Sequence, residues 1–586
     1  MALSRLEQRI GAHLQVLYPD LDPGELTQAC LQAISSPPDA PTPVPHSNLW
    51  SQCDCVMITY GDSLRREGEA PLHTLHQFLN RHLADCISTV HILPFFPYSS
   101  DDGFSVMDYS SVSPKVGEWE DVSALAEDFT VMGDLVINHC SSRSRWFENF
   151  KAGVEPGASF FVQVPGDTDL SAVVRPRTSS LLREVETASG TRHVWCTFSE
   201  DQVDLDFRNP EVLLTFLRII RLYIEKGITW FRLDAVAFLW KEIGTRCINL
   251  PQTHQMIRLL RLLIEHREPA ATLITETNIP NNENLTYFGN ANEAHMIYNF
   301  SLPPLLINTL ISGNCTHLKN WLMTMPAAQH GTAYFNFIAS HDGIGLRPVE
   351  GLLTDWEVSN LIQTLQRFGA RVSTRTGPDG QPKPYEINVS LFDALKGTVQ
   401  HGPDPWQVAR YLCAHAIMLG LEGIPAIYVH SLVATENDED RVTHSGHLRS
   451  INRHIWQADD LEEKLVGETH HRGVFNALRR LIKLRCAQPA FHPNASQFNL
   501  QLGESLFGYW RQSVSGEQSI FAIYNVTDTP QRLNLAELNL LAADLWHDLI
   551  RGQDYEDQVA QITLAPYQAL WLTDQVPVAE ADAAAD

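Results

Sequence analysis

The chain is poor in positive charge for its size. Its 43 Lys and Arg stand against 69 Asp and Glu, a formal net charge of −26. That argues against a general nucleic-acid or anionic-membrane binder, both of which need a positive surface. A single anionic ligand is still compatible, because it needs only a local cationic pocket. No run approaches the ~18–20 apolar residues of a membrane span. Cysteine is sparse, 10 in 586 residues, which is no disulfide framework. Cys53 and Cys55 form a lone C-x-C with no second close pair, and read as two small buried hydrophobes sharing one strand face. The amino terminus lacks a compact apolar core followed by a small-residue cleavage site. Leu6, Ile10, Leu14 and Leu17 recur there at helical spacing, which predicts an amphipathic helix and a cytoplasmic protein. Neither disorder nor low complexity fits a composition 44% apolar and 19% charged.

At about 150 residues per domain the length suggests roughly four units, fewer if one is an α/β barrel. Residues 1–48 read as a helical extension followed by a stiff strap of Pro37, Pro38, Pro41, Pro43 and Pro45. From about residue 50, short apolar runs alternate with amphipathic stretches. The runs lie at 55–60, 89–96, 130–140, 228–236, 271–277, 294–300, 332–340 and 423–429. Continuous apolar runs suit parallel strands buried on both faces. Between them fall helical stretches such as the one carrying Met256, Leu259, Leu260 and Leu263. Eight strands alternating with helices predict a (β/α)8 TIM barrel, assigned to 49–140 and 204–496. Two gaps, of about 90 and about 80 residues, are too wide for simple crossovers. Each follows the carboxyl end of a strand, the rim where barrels bind substrate, so 141–203 is expected to be an inserted B domain and 343–405 a second rim insertion. Residues 497–575 read as an all-β carboxyl-terminal domain, and 576–586 as a frayed tail.

Acidic and imidazole groups cluster at the predicted strand ends. The third run ends Asp134-Leu-Val-Ile-Asn138-His139, the fourth holds Phe231-Arg232-Leu-Asp234, the fifth ends in Glu276 and the seventh in His341-Asp342. A barrel brings these ends to one rim. Three carboxylates around one pocket suit glycosidic-bond chemistry, which needs a proton donor for the leaving oxygen and negative charge near the anomeric carbon. Arg232, two residues before Asp234, shares its strand face and can hold it ionised. Glu276 must keep a raised pKa to be protonated before attack.

These segments, with Gln202-Val-Asp-Leu-Asp206, resemble the signature regions of the α-amylase superfamily. The likeness implies Asp234 as nucleophile, Glu276 as general acid/base and Asp342 as transition-state stabiliser, with His139, His341, Arg232 and Tyr109 lining a glucosyl subsite. Ile58-Thr-Tyr-Gly-Asp62, Val90-His-Ile-Leu-Pro-Phe-Phe96, Arg175-Pro-Arg177 and Arg449-Ser-Ile-Asn-Arg-His454 are closer still to the sucrose phosphorylase subgroup. That resemblance implies that Asp62 and Arg449 grip the far end of a terminal glucose and that Arg177 lies in the acceptor site. Phe238 replaces a tyrosine of that subgroup, Tyr109 a histidine, and Thr277-Asn278 a Val-His pair. Tyr385-Glu386-Ile-Asn388 replaces Tyr-Gln-Val-Asn. With Ala237-Phe-Leu-Trp-Lys-Glu, these departures look more like glucosylglycerate phosphorylases. The implied substrates are a small α-glucoside and inorganic phosphate, with Arg177 and Asn278 toward the acceptor. Sucrose, sucrose 6-phosphate or glucosylglycerol phosphorylases, an α-glucosidase or transglucosidase, and a non-catalytic amylase-like binding protein are the alternatives. No cofactor is implied, and Asn138 alone is no calcium site. The sequence leaves a homodimer open.

Overall fold

The computed structural model describes residues 4–36, 43, 47–376, 381–538, 545–556 and 561–574. The tail at 576–586 lies outside the described residues, as does nearly all of the proline strap. Eight parallel strands close into a barrel: β1 Val56–Thr59, β2 Thr89–Ile92, β3 Thr130–Leu135, β4 Ile228–Leu233, β5 Thr272–Thr275, β6 Met296–Tyr298, β7 Ala333–Phe337 and β8 Ile424–Tyr428. Six of the eight are buried along their whole length. That is why they read as continuous apolar runs and not as alternating ones. β3 is shorter than its run. The chain leaves the barrel after Leu135, and His139–Ser141 pairs instead with Gln202–Asp204 in a separate antiparallel ribbon.

Register decides which side chains meet. Asp134 on β3 is paired with Arg232 on β4, and Leu233 on β4 with Thr275 on β5. Asp234 and Glu276 therefore leave adjacent strands one residue beyond a matched pair.

The helix Pro251–Arg267 buries Met256, Leu259, Leu260 and Leu263, and also Leu262. It is covered by the amino-terminal helices Arg5–Leu17 and Pro23–Ile34. The helix Arg5–Leu17 starts in a capping box between Ser4 and Glu7. It buries Leu6, Ile10, Leu14 and Leu17, each contributing about 1.5–3 kcal/mol. The helix Pro23–Ile34 packs beside it on the barrel helix Pro210–Glu225, and Tyr18 Oη donates to the Phe207 carbonyl at 2.9 Å.

Within the first inserted stretch, Leu182–Thr187 and Gly190–Trp195 form a hairpin. Within the second, Ile344–Gly345, Pro382–Asn388 and Arg371–Thr376 form a small antiparallel sheet. The carboxyl-terminal region is a six-stranded sheet with a two-stranded companion. It is fastened to the barrel helix Gln407–Gly420 by Tyr509 Oη on Ile417 O at 2.8 Å, Tyr524 Oη on Ala416 O at 3.0 Å and Arg511 on Gly420 O at 2.8 Å.

Cys53 and Cys55 do not share an environment. Cys55 is fully buried, but Cys53 is exposed and forms a disulfide with Cys486. The strand starts only at Val56, so Cys53 lies in the preceding turn, where alternation does not apply. The bond ties the entry of the barrel to the end of the helix His470–Cys486.

Among the described residues, three buried histidines outside the site show how burial disfavours charge. Burial pushes His295 and His415 down to about 4 and His430 to about 3. Their folded pKa lies below the unfolded value, so the stability they confer is full above pH ~6.5 and is lost as pH falls toward the folded value. The loss is about 1.4 kcal/mol per pH unit for each. Calorimetric melting temperature is expected to drop steeply between pH 6.5 and 4.5, and less steeply in His415→Gln. An equal slope in that variant would remove this explanation.

Candidate active site

Arg232 is the centre of the site. It is 2% exposed, and its guanidinium lies 5.6 Å from the Phe104 ring centroid and 5.4 Å from that of Tyr298. Nη1 donates to Asp134, and to Asp234 Oδ1 at 2.9 Å. Nη2 is 3.8 Å from Glu276 Oε2. Behind it, Asp134 also meets His91 Nε2 at 2.8 Å. Burial alone would raise the pKa of Asp134, but Arg232 and His91 outweigh it and hold the carboxyl below its usual range.

Asp234 and Glu276 titrate as one pair. Burial raises both, against the pull of Arg232. The upward push is the stronger on Asp234, although Arg232 hydrogen-bonds Asp234 directly at 2.9 Å and stands 3.8 Å from Glu276. Glu276 Oε2 also accepts from the Ala235 amide at 3.0 Å. Ala235 holds that amide in place from a left-handed turn, φ 50°.

Asp342 has the opposite balance. Burial opposes its charge, but Arg449, then Arg453, Arg232 and Arg177, overcome that cost and lower its pKa. Arg449 Nη1 is 2.6 Å from Asp342 Oδ1. His341 stacks on Phe104 at 5.0 Å with 6° between the rings. Burial, reinforced by Arg232 and Arg453, drives its pKa well down, so it is a neutral hydrogen-bonding group beside Asp342. His139 is likewise buried and lowered by burial, with Nε2 3.0 Å from the Phe104 carbonyl.

Of the residues singled out by sequence, Asp234, Glu276, Asp342, His139, His341, Arg232, Arg177, Asn278, Tyr385 and Arg449 line one cavity. Arg177, from the first insertion, stands over the Tyr385 ring of the second at 5.4 Å. The two insertions thus meet across the mouth. Asn278 Oδ1 is buried without a partner, and Gly345 leaves room for it: a Cβ there would lie 2.9 Å from the Asn278 amide.

Four residues take other positions. Tyr109 sits behind the wall, its Oη donating to the carbonyls of Val136 and His139 at 2.8 and 2.9 Å and its ring stacked on Trp146. A buried hydroxyl takes the nearest acceptors, and those are backbone. Phe238 lies one layer back, edge-on to the lining Phe198 at 5.5 Å. Asp62 pairs with Arg65 at 2.6 Å and not with Arg449. Arg449 is drawn the other way, bidentate to Glu386 at 3.0 and 2.7 Å. Glu386 is 1% exposed and also accepts from the Gly343 amide at 3.0 Å. Arg449 thus lines the cavity within an Asp342–Arg449–Glu386 chain, and Asp62 is not among the lining residues.

Asp101, Phe104, Phe198 and Gln202 line the cavity without having been singled out as site residues. Asp101 (φ 53°) and Asp102 (φ 45°) precede Gly103 in a strained loop, fastened by Asp102 to Arg453 at 2.6 Å. An acidic pair before a glycine just past a strand was the available signal. For the two phenylalanines there was none.

Asn138 faces a lysine. Lys241 Nζ lies 2.7 Å from Asn138 Oδ1 and 2.6 Å from Asp204 Oδ2. Asp204 also accepts from Thr197 N and Oγ1 at 2.8 and 2.6 Å. An ammonium group thus occupies the oxygen cluster where the insertion returns to the barrel. No group of three or more potential metal ligands occurs among the described residues.

A parallel barrel carrying three carboxylates on one rim, two of them sharing a buried arginine, is the framework of the α-amylase family, and the chain belongs to that family, in the branch of the glycoside phosphorylases. The α-amylase catalytic-domain model matches residues 85–347. The chain is 40% identical to the glucosylglycerate phosphorylase of Allomeiothermus silvanus, over 97% of this chain and 99% of that one. It is 41% identical to the Escherichia coli glucosylglycerate phosphorylase, over 89% and 92%. The solved structure of sucrose 6F-phosphate phosphorylase from Thermoanaerobacter thermosaccharolyticum superposes with TM-score 0.70 at 26% identity, covering 81% of this chain and 94% of that one.

Removing the ammonium while leaving its partners, as in Lys241→Met, strands the buried Asp204 charge. It should cost about 3–5 kcal/mol, read as the denaturant midpoint, while EDTA leaves the wild-type midpoint unchanged. A chelator-sensitive wild type would reverse this assignment.

Proposed function

We propose that the chain splits 2-O-α-glucosyl-D-glycerate with phosphate, giving α-glucose 1-phosphate and glycerate. The observation that carries this is Arg177. Among the cationic residues lining the cavity, Arg232 and Arg449 are each bound to carboxylates. Arg177 has no carboxylate partner among the described residues and stands at the mouth over Tyr385. A free guanidinium there suits a ligand that is itself an anion, and both the leaving glycerate and the entering phosphate are anions. The full-length likeness to glucosylglycerate phosphorylases supports glycerate as the acceptor.

In the first step Asp234 attacks the anomeric carbon and the bond to the glycerate oxygen breaks, with Glu276 delivering its proton to that oxygen. In the second step a phosphate oxygen attacks the same carbon and the Asp234 ester bond breaks. Glu276, now a carboxylate, takes the proton that hydrogen phosphate gives up. Two inversions leave the configuration retained. Asp342, anchored by Arg449, supports positive charge developing on the ring.

A reverse-direction screen tests the reading. With α-glucose 1-phosphate as donor, glycerate should be glucosylated at least tenfold faster than glycerol or fructose. Preference for a neutral acceptor would overturn the glycerate assignment. In Arg177→Ala, KM for phosphate should rise at least tenfold while glucosyl-enzyme formation from α-glucosyl fluoride, whose leaving group needs no guanidinium, stays within a few-fold. Glu276→Gln should slow glucosylglycerate cleavage by about 10²–10⁴-fold but α-glucosyl fluoride far less, since fluoride needs little protonation. An equal loss on both donors would argue against Glu276 as the acid.

A further inference from the structure

A second cavity encloses about 390 Å³. It is formed by Asn299 just past β6, Tyr334 and Asn336 of β7, the lead-ins to β7 and β8, the helix Thr316–Thr324 and the edge strand Ser496–Asn499 of the carboxyl-terminal sheet. Its volume is in the range of small-molecule sites, about 300–1,000 Å³, and it shares no lining residue with the catalytic cavity.

Tyr334, Asn336, Asn299 and Gln497 on its wall are hydrogen-bonded within the protein, but two buried polar atoms are not. Trp321 is 1% exposed, lines the cavity and has no partner for its Nε1–H. Asn499 Oδ1, also on the lining, is buried and unpartnered. An unmet buried donor or acceptor is costly, so each is a place where a ligand hydroxyl gains more than it would at a wet surface. Glu422 is fixed by the Ala328 amide on Oε1 at 2.7 Å, and its own amide donates to Gln497 Oε1 at 2.8 Å. Glu422 Oε2 has no partner among the described residues. Burial raises the Glu422 pKa against the Ala328 amide and Arg511.

The apolar part is a rim. Phe498 is 45% exposed and Met323 49% exposed at the opening. Phe498 is backed by Trp510, with ring centroids 4.7 Å apart, so its position is held. No Lys, Arg or His lines the cavity, which disfavours phosphate, glycerate or any other anion. A donor, an amide oxygen, a carboxyl and an aromatic face around one space match a ring that carries hydroxyls on its edge and C–H groups on its faces. We infer that this cavity is a non-catalytic binding site for a neutral hexopyranose, free or at the end of a short saccharide, held between Trp321, Glu422 and Asn499 and capped by Phe498.

Isothermal titration with D-glucose and with maltose tests it on the intact chain. The wild type should show two classes of site for at least one of these sugars. Phe498→Ala and Glu422→Ala should each weaken one class at least tenfold, leaving the other class and kcat/KM for phosphorolysis within twofold. Trp321→Phe, which keeps the ring and removes the N–H, should do the same if it folds; Phe498 is half-exposed on an edge strand, so its truncation keeps the test open if Trp321→Phe does not. One class of site only, or a second class indifferent to Phe498 and Glu422, overturns the inference. Displacement of glucose by benzylamine would replace it with a site for cations. The readout is binding, so it stands or falls separately from any failure to observe phosphate-dependent turnover.

Discussion

One buried guanidinium organises the molecule's chemistry. Arg232 neutralises part of a cluster that otherwise could not exist, because Asp134, Asp234 and Glu276 converge where water is scarce. Three carboxylates in such a place would take up protons instead of sharing it. Arg232 is fixed between two aromatic rings and anchored from behind by Asp134, so its charge is held beside both Asp234 and Glu276. Strand register sets the unequal distances from the guanidinium to Asp234 and Glu276. Removing one partner of such a cluster leaves an uncompensated buried charge, costing about 3–5 kcal/mol, so the fold and the site constrain each other.

A second balance surrounds Asp342. Here the arginines outnumber the acid, and the charge is kept by Arg449, itself held bidentate by Glu386. Glu386 belongs to the second insertion and Arg449 to the segment after β8. The position of the insertion is thus coupled to the electrostatics of a carboxylate on the barrel rim. Arg177 completes the picture from the other insertion. In a chain of net charge −26, an anionic ligand meets an unfavourable far field, and only a local, unpaired cation at the mouth can reverse it over the last few ångströms.

The barrel was legible because strands buried on both faces leave continuous apolar runs, and because a barrel obliges distant strand ends to share a rim. That is enough to gather Asp234, Glu276 and Asp342 from the sequence alone. What escaped was pairing between loops. Nothing local to Asp62 says that it will take Arg65, or that Arg449 will choose Glu386 and Asp342. Tyr109 has the composition of a lining residue, but its hydroxyl found backbone carbonyls behind the wall. Cys53 and Cys486 are 433 positions apart, and proximity across that span comes only from barrel closure.

Lys241 shows how far one substitution of charge carrier can go. Asn138 and Asp204 offer the oxygen donors that a hard cation would use, and they join the barrel to the returning end of the first insertion. A divalent ion there would make the stability of that junction depend on its concentration. A covalently tethered ammonium has no such dependence, but it brings one charge and tetrahedral donors in place of two charges and six or more ligands. The remaining negative potential of Asp204 is met by Thr197 and Asn138. The junction that carries Arg177 toward the mouth is therefore built from hydrogen bonds of fixed direction, which suits a loop whose guanidinium must be aimed and not merely nearby.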